Sequence, residues 1–364
     1  MSKPIRVLHV LAAIDSGGVA NFVMNTYRSI NHEKIQYDFA LSSGQKSLMD
    51  DEAESMGARL FYFDKEKSIV ENLKEILINE GSFDVVHSHM FFYSGLVLRE
   101  AKKYGVPVRI AHAHNAYTGK KETFTRKIYE ASMRHMIRSN ANVLMGCSEK
   151  ACRYVFGDDC MSDERTVVMP DGIDCSRFAF DENMRNSVRT EYGLEGKFVV
   201  GHVGHFNPAK NHEKILSVFA EAAKQRENAA LLLVGDGKLE DAVRAKTEEL
   251  GITDRVVFAG AHKDVEKMYQ AMDVFLFPSR YEGFGMAMIE AQANGLACLA
   301  SDVVPQDTNA DGRAIYLPLE ESDAVWAEQL LSMPKRNVRK TESVKSSFDL
   351  EITTMLLSEY YLKY

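Results

Sequence analysis

The stretch Phe277-Pro-Ser-Arg-Tyr-Glu-Gly-Phe-Gly-Met-Ala-Met-Ile-Glu-Ala-Gln-Ala-Asn-Gly-Leu-Ala-Cys-Leu-Ala-Ser-Asp302 reads as a strand end, a glycine-rich turn, a helix and the next strand. Gly283 and Gly285 allow backbone to come close to a ligand and tolerate positive φ. A helix beginning near Phe284 turns its unpaired first N–H groups and its positive dipole end toward that turn, which suits a phosphate. Glu282 precedes the helix and Glu290 lies inside it. At about 1.5 Å of rise per residue the two carboxylates are roughly 12 Å apart along the axis. That span fits a sugar nucleotide with its diphosphate in the middle. One carboxylate would accept hydroxyls from the sugar and the other from the ribose, and hydrogen bonds to a charged acceptor are the strong kind. Taken alone, two glutamates and two glycines fit a buried amphipathic helix equally well.

The surrounding chain sets this element in an alternating pattern. A continuous apolar run at 5–11, of the kind found in buried parallel strands, ends in Asp15-Ser-Gly-Gly18 and continues as a helical pattern through Ile30. Strand, Gly17-Gly18 turn and helix form a second phosphate-loop-like element. Strand-like runs recur at 35–41, 59–63, 85–87, 108–112, 142–145 and 166–169, with helical segments between most of them. A second series follows at 198–203, 231–234, 256–258, 274–277 and 296–300. This alternation predicts an α/β protein of two Rossmann-like, doubly wound parallel domains. The domains are expected at 1–178 and 197–347. The turn chemistry of Pro170-Asp-Gly-Ile-Asp174 opens the join, which runs to Gly196. The final stretch, 348–364, is expected to be helical, with apolar Leu350, Ile352, Met355, Leu356 and Tyr360.

A chain of 364 residues has room for two well-buried cores, and its net charge of −8 is confined to the second half. Residues 101–140 form a local basic block. A net acidic chain with one such block is not built as a nucleic-acid binder, and no nucleic acid is expected as a partner. The five cysteines, Cys147, Cys152, Cys160, Cys175 and Cys298, include no Cys-x-x-Cys pair. They read as free thiols in a reducing cytoplasm. No apolar run approaches the roughly 18 residues of a membrane span.

Two constellations lie at expected strand ends, where open α/β sheets bind ligands. His87-Ser-His89 and His112-Ala-His114 raise the question of a metal. Neither spacing is of the His-Glu-x-x-His type and no local carboxylate cluster completes a site, so no metal is assigned. Hydrogen-bonded strand-end histidines account for the pattern. In Gly204-His-Phe-Asn-Pro-Ala-Lys210, Lys210 just before a helix is placed for phosphate oxygens. Residues 119–139 carry Lys120, Lys121, Arg126, Lys127, Arg134 and Arg138 beside a stripe of Phe124, Ile128, Ala131 and Ile137. Such a basic amphipathic helix fits either a peripheral contact with an anionic membrane or a sheet-covering helix with a solvated face.

Glu282-Gly-Phe-Gly followed by Glu290 resembles the donor-site signature of retaining glycosyltransferases of family 4, of GT-B type and similar to capsular and exopolysaccharide enzymes. With Gly17-Gly18, Gly204 to Lys210 and Leu233-Val-Gly-Asp-Gly237 in the family's order, the likeness runs nearly chain-wide. It implies an N-terminal acceptor domain and a C-terminal donor domain facing across a cleft, with the last helix returning to the first domain. It implies a hexosyl or N-acetylhexosaminyl transferase that takes a nucleotide-diphosphate sugar, UDP favoured. The acceptor would be a glycan or a lipid-linked glycan in surface polysaccharide synthesis. It implies catalysis without a metal or other cofactor. His114, with His112 as the alternative, would contact the donor sugar. Lys210 and His205 would hold the diphosphate, Glu282 the sugar and Glu290 the ribose, with Gly17, Gly18, Gly283, Phe284 and Gly285 lining the donor. Three positions depart from the family: Ala20 for Glu, His205 for Arg and Asp171 for Asn. Two other readings remain open, a nucleotide-sugar epimerase and a non-catalytic sugar-nucleotide-binding protein. The expected location is the cytoplasm, at the inner face of the cell membrane.

Overall fold

The structure is a computed structural model that describes residues 3–15, 17–116 and 123–363. The chain divides into two compact units, Met1–Gly172 with Leu350–Tyr364, and Ile173–Asp349.

The first unit is built on seven strands, β1 (Ile5–Leu11), β2 (Ile35–Leu41), β3 (Leu60–Tyr62), β4 (Val85–Ser88), β5 (Val108–Ala113), β6 (Val143–Gly146) and β7 (Thr166–Val168). They pair in the order β3-β2-β1-β4-β5-β6-β7, every neighbour parallel. Ile5 stands opposite Ile35 and Val7 opposite both Tyr37 and Val85, so the apolar runs align and fill one core. The second unit repeats the plan with β8 (Phe198–Val203), β9 (Ala229–Val234), β10 (Val256–Gly260), β11 (Val274–Phe277), β12 (Ala297–Ser301) and β13 (Ile315–Leu317). Their order is β10-β9-β8-β11-β12-β13, again parallel. The expected strands are present to within a few residues. β13, a three-residue edge strand of half-buried side chains, was not anticipated, because so short a run carries no periodicity.

The division differs from the expected one. The first unit ends at Gly172 rather than 178, and residues expected to be a join belong to the second. Helix Glu182–Glu191 is held there by Arg185 and Arg189, which both pair with Asp273, at 2.5 and 2.7 Å, and helix Cys175–Phe178 by Asn294 Nδ2, which donates to the Phe178 carbonyl at 2.7 Å. The expected terminal helix is present as Leu350–Leu362 and belongs to the first unit. Met355 and Leu356 are exposed, whereas Thr353, Leu357 and Tyr361, spaced four apart, are buried, with Leu357 and Tyr361 in the core. A Cβ on Gly172 would lie 2.5 Å from Thr353 Oγ1, so only glycine fits where the chain leaves the unit.

Candidate functional site

In each sheet the strand order reverses once, between β1 and β4 and between β8 and β11. Open α/β sheets bind ligands beside the strand ends at such a reversal. In the second unit the loops after β8 and β11 are tied side by side. Asn211 Nδ2 donates to the Pro278 carbonyl at 3.1 Å, and the Arg280 N–H donates to the Ala209 carbonyl at 2.7 Å.

Lys210 is set by its own loop. The Asn207 side-chain oxygen accepts the N–H groups of Ala209 and Lys210, closing the short 3₁₀ turn Pro208–Lys210. Asn211 then takes the left-handed conformation at φ 55°, one of the few residue types that does so readily, and starts helix His212–Gln225. The Lys210 ammonium donates to Glu282 Oε1 at 2.6 Å, and the Ser279 hydroxyl donates to the same oxygen at 2.6 Å. The Lys210 nitrogen also lies 5.0 Å from the centre of the Phe277 ring. Both charged side chains are largely covered, at 19% and 10% exposure. An ammonium has three protons and a carboxylate about four acceptor positions, so the pair keeps capacity for phosphate oxygens and sugar hydroxyls.

Glu290 lies in helix Met286–Ala293, and its Oε2 accepts the Tyr269 hydroxyl at 2.6 Å. Burial raises its carboxyl above the ordinary range, while that hydrogen bond and the Lys210 charge pull it back. The helix begins two residues later than expected, because Gly285 stands before it at φ 108°, a conformation open to glycine. The Phe284 ring is buried, 5.5 Å from that of Phe348.

His205 faces Asp236, Nδ1 to Oδ1 3.0 Å, both more than half exposed. The glycines flanking Asp236 bring it there. A Cβ on Gly235 would lie 2.2 Å from the Gly204 carbonyl oxygen, and one on Gly237 2.6 Å from that of Phe206. Ser279, Tyr269, Asn211 and Asp236 were not singled out in the sequence; Tyr269, Asn211 and Asp236 act through partners distant along the chain, whereas Ser279 reaches Glu282 only three residues on. A separate cavity of about 380 Å³ opens beside Asn207, His212 and Arg280 but is lined by none of the candidate residues except for this shared loop.

The first unit holds His114, Gly17 and Gly18. Gly17, at φ 153°, caps helix Gly18–Ser29, and an added Cβ would meet nothing within 4 Å. His114 Nε2 lies 2.8 Å from His89 Nδ1, and His114 Nδ1 lies 3.8 Å from Asp171 Oδ1. Burial holds the His114 imidazole down to about 3 and pushes the Asp171 carboxyl up to about 7. His87 Nε2 is 3.1 Å from His112 Nδ1 and His87 Nδ1 2.7 Å from the Tyr361 hydroxyl. His9, read in the sequence as one residue of an apolar strand, joins the group through His89, at 3.0 Å.

Within the basic block, Lys120 and Lys121 lie outside the described residues. Helix Phe124–Asn140 packs through Met133 and Ile137, and the expected stripe is corrected: Phe124, Ile128 and Ala131 face outward. Arg126 pairs with Glu130, Arg134 donates to the Tyr154 carbonyl and Arg138 pairs with Asp159, so these arginines serve the fold. Among the described residues no helix is long and apolar enough to cross a membrane.

Two family models match this chain, Glycosyltransferase Family 4 over residues 16–177 and Glycosyl transferases group 1 over residues 184–331. The chain is 31% identical to EpsF of Bacillus subtilis (strain 168), named as a glycosyltransferase, over 99% of this chain and 97% of the relative. It is 24% identical to the capsular polysaccharide biosynthesis glycosyltransferase CapH of Staphylococcus aureus, over 98% and 99% of the two chains. In structure it is similar to Anabaena HepE, solved in complex with UDP-glucose, with a TM-score of 0.83 at 14% identity, covering 99% of this chain and all of that one.

Proposed function

The chain belongs to glycosyltransferase family 4, and we propose that this glycosyltransferase moves a hexosyl or N-acetylhexosaminyl group, with retention, from a UDP-sugar to a glycan or lipid-linked acceptor in surface polysaccharide synthesis. The observation that carries the reading is the covered Lys210–Glu282 pair at the reversal point of the second sheet, with Glu290 on the helix that follows. The name of CapH supports the polysaccharide setting, and the UDP-glucose complex of HepE supports the donor class.

In this reading Lys210 and the first N–H groups of helix Met286–Ala293 stabilise the charge that grows on the departing diphosphate, so the transfer itself needs no metal. His205 adds a further donor from the exposed rim of the same loop. Glu282 accepts sugar hydroxyls and Glu290 the ribose. The donor phosphate takes the acceptor proton on the face where the new bond forms, and no protein base is assigned. Incubation with a panel of UDP-, GDP- and ADP-sugars, scored for released nucleotide, tests the donor. The expected result is UDP release from one UDP-sugar. Release from GDP- or ADP-sugars alone overturns the donor class, and an inverted anomeric configuration in the product, read by NMR, overturns retention.

We place the enzyme at the inner face of the cell membrane through helix Phe124–Asn140. Phe124 is 80% and Ile128 55% exposed, an uncommon place for two large apolar side chains beside Lys127. Burying each would contribute about 1.5–3 kcal/mol. The double variant Phe124→Glu, Ile128→Glu is therefore expected to lower co-sedimentation with vesicles rich in anionic lipid by about tenfold or more. Equal sedimentation of variant and wild type, or none by either, removes the membrane contact.

A further inference from the structure

The loops after β8 and β9 are zipped together by their backbones. The Gly204 N–H donates to the Val234 carbonyl at 2.9 Å, the Phe206 N–H to the Asp236 carbonyl at 2.7 Å and the Leu239 N–H to the Phe206 carbonyl at 3.1 Å. The backbone thus sets His205 opposite Asp236, although both side chains are more than half exposed. His205 Nδ1 lies 3.0 Å from Asp236 Oδ1. An ionised carboxylate only accepts, so the ring carries a proton on Nδ1. A neutral imidazole has one ring proton, and its Nε2 is then a lone pair. Nε2 has no partner among the described residues. Lys210 lies close by, since a Cβ on Gly204 would be 3.1 Å from its Cγ. A phosphate oxygen brought to this loop also only accepts. Facing Nε2 it meets a lone pair, and a hydrogen bond forms only when the ring carries a second proton.

We propose that Asp236 is a positioning residue that holds His205 with its first proton on Nδ1, so that His205 binds a diphosphate only as imidazolium and donor binding takes up one proton. The inference rests on the reading of this loop as the diphosphate site. The charged groups around the ring set when that proton arrives. Asp236, from the loop after β9, favours imidazolium. Lys210 in the same loop and Lys238 two residues beyond Asp236 oppose it. In the loop after β11, Glu282 is occupied by Lys210 at 2.6 Å and Arg280 is 3.7 Å from Glu213. A diphosphate adds negative charge beside the ring, which favours its charged form. The proton then comes with the ligand. Affinity falls as pH rises, by up to about tenfold per pH unit wherever the free ring is neutral and the bound ring charged. Histidine side chains ordinarily change charge between about pH 5 and 8, so this dependence lies near neutrality.

Calorimetry of UDP binding at pH 8, in buffers of different ionisation enthalpy, counts the protons. Phosphate monoesters have their second ionisation near pH 6, so UDP enters already ionised. Wild type is expected to take up about one proton more than His205→Arg, whose guanidinium is charged throughout. Proton exchange by Glu290 is common to both proteins and cancels in this difference. His205→Arg should also bind UDP about tenfold or more tightly than wild type at pH 8, with the advantage shrinking toward pH 6. Asp236→Ala frees the ring to place its one proton on Nε2, so its uptake should fall below about half that of wild type. Asp236→Asn keeps an oxygen that can accept from Nδ1 and should retain more of the uptake. A merely structural role for Asp236 would change affinity and leave the proton count alone. Equal proton counts in wild type and His205→Arg, with UDP still bound, overturn the inference and leave the donor reading standing. Equal counts in wild type and Asp236→Ala overturn the role of Asp236. A wild-type chain that does not bind UDP overturns the donor reading, and this inference with it.

Discussion

Lys210→Ala is expected to lower turnover by about 10²–10³-fold at saturating donor, the loss typical when one preorganised donor to developing charge is removed. Charge on the leaving diphosphate grows toward the transition state, so a fixed cation contributes more there than in the ground state, and the deficit falls on kcat more than on donor affinity. Three contacts fix this cation before any ligand arrives: Glu282 Oε1 at 2.6 Å, the Phe277 ring and the 3₁₀ turn held by Asn207. Little reorganisation is then needed at the moment of reaction. The substitution also leaves the Glu282 carboxylate, 10% exposed, with Ser279 as its one remaining side-chain partner among the described residues, so some loss of stability accompanies it. Thermal unfolding separates the two effects. The assignment stands if single-turnover transfer collapses while the unfolding transition moves by only a few degrees. A folded variant with wild-type kcat would remove Lys210 from the chemistry.

The contrast between Lys210 and His205 shows which parts of this site were legible. Lys210, Glu282 and Glu290 could be read because each lies at a fixed offset from a glycine turn or a strand end, and local rules place such residues. The strand series was legible for the same reason, since buried parallel strands are continuous apolar runs. What the sequence hid was partnership across strands. Nothing local joins Tyr269 to Glu290 or Lys210 to the Glu282 carboxylate. His9 passed as one residue of an apolar run until β1 was paired with β4, which sets it opposite His87. Asp171 looked like a turn residue until β7 was seated beside β6 at the edge of the sheet. The division at Gly172 was misplaced because turn chemistry marks where a chain bends, not which core the next helix joins. Asp273, more than 80 residues farther on, decides that for Arg185 and Arg189. Hydrophobicity alone does not mark the inward face of the last helix, because Thr353 lies on it while the more hydrophobic Met355 does not.

Glu290 tests the nucleotide half of the site. Changing it to Gln keeps the shape and an acceptor for the Tyr269 hydroxyl, now 2.6 Å from Oε2, but removes the charge that would bind ribose hydroxyls. Losing a charge-assisted hydrogen bond costs about 1.5–3 kcal/mol, so free UDP and the sugar nucleotide should both bind about 10–150-fold more weakly. Loss of affinity for UDP alone distinguishes this from the loss expected at Glu282, which belongs to the sugar. The pH dependence has a definite sign. Burial holds the Glu290 carboxyl above its ordinary range, so part of the population is protonated in mildly acidic solution. Ribose hydroxyls donate to the ionised form, so at pH values below that raised pKa binding must release a proton, and UDP affinity rises with pH until the carboxylate is fully ionised. Glu290→Gln has no proton to release and should lack this rise. Calorimetry of UDP binding across the acid range, in buffers of different ionisation enthalpy, measures both quantities. Wild-type affinity in a folded Glu290→Gln chain, or the same proton release in both proteins, would place the ribose elsewhere.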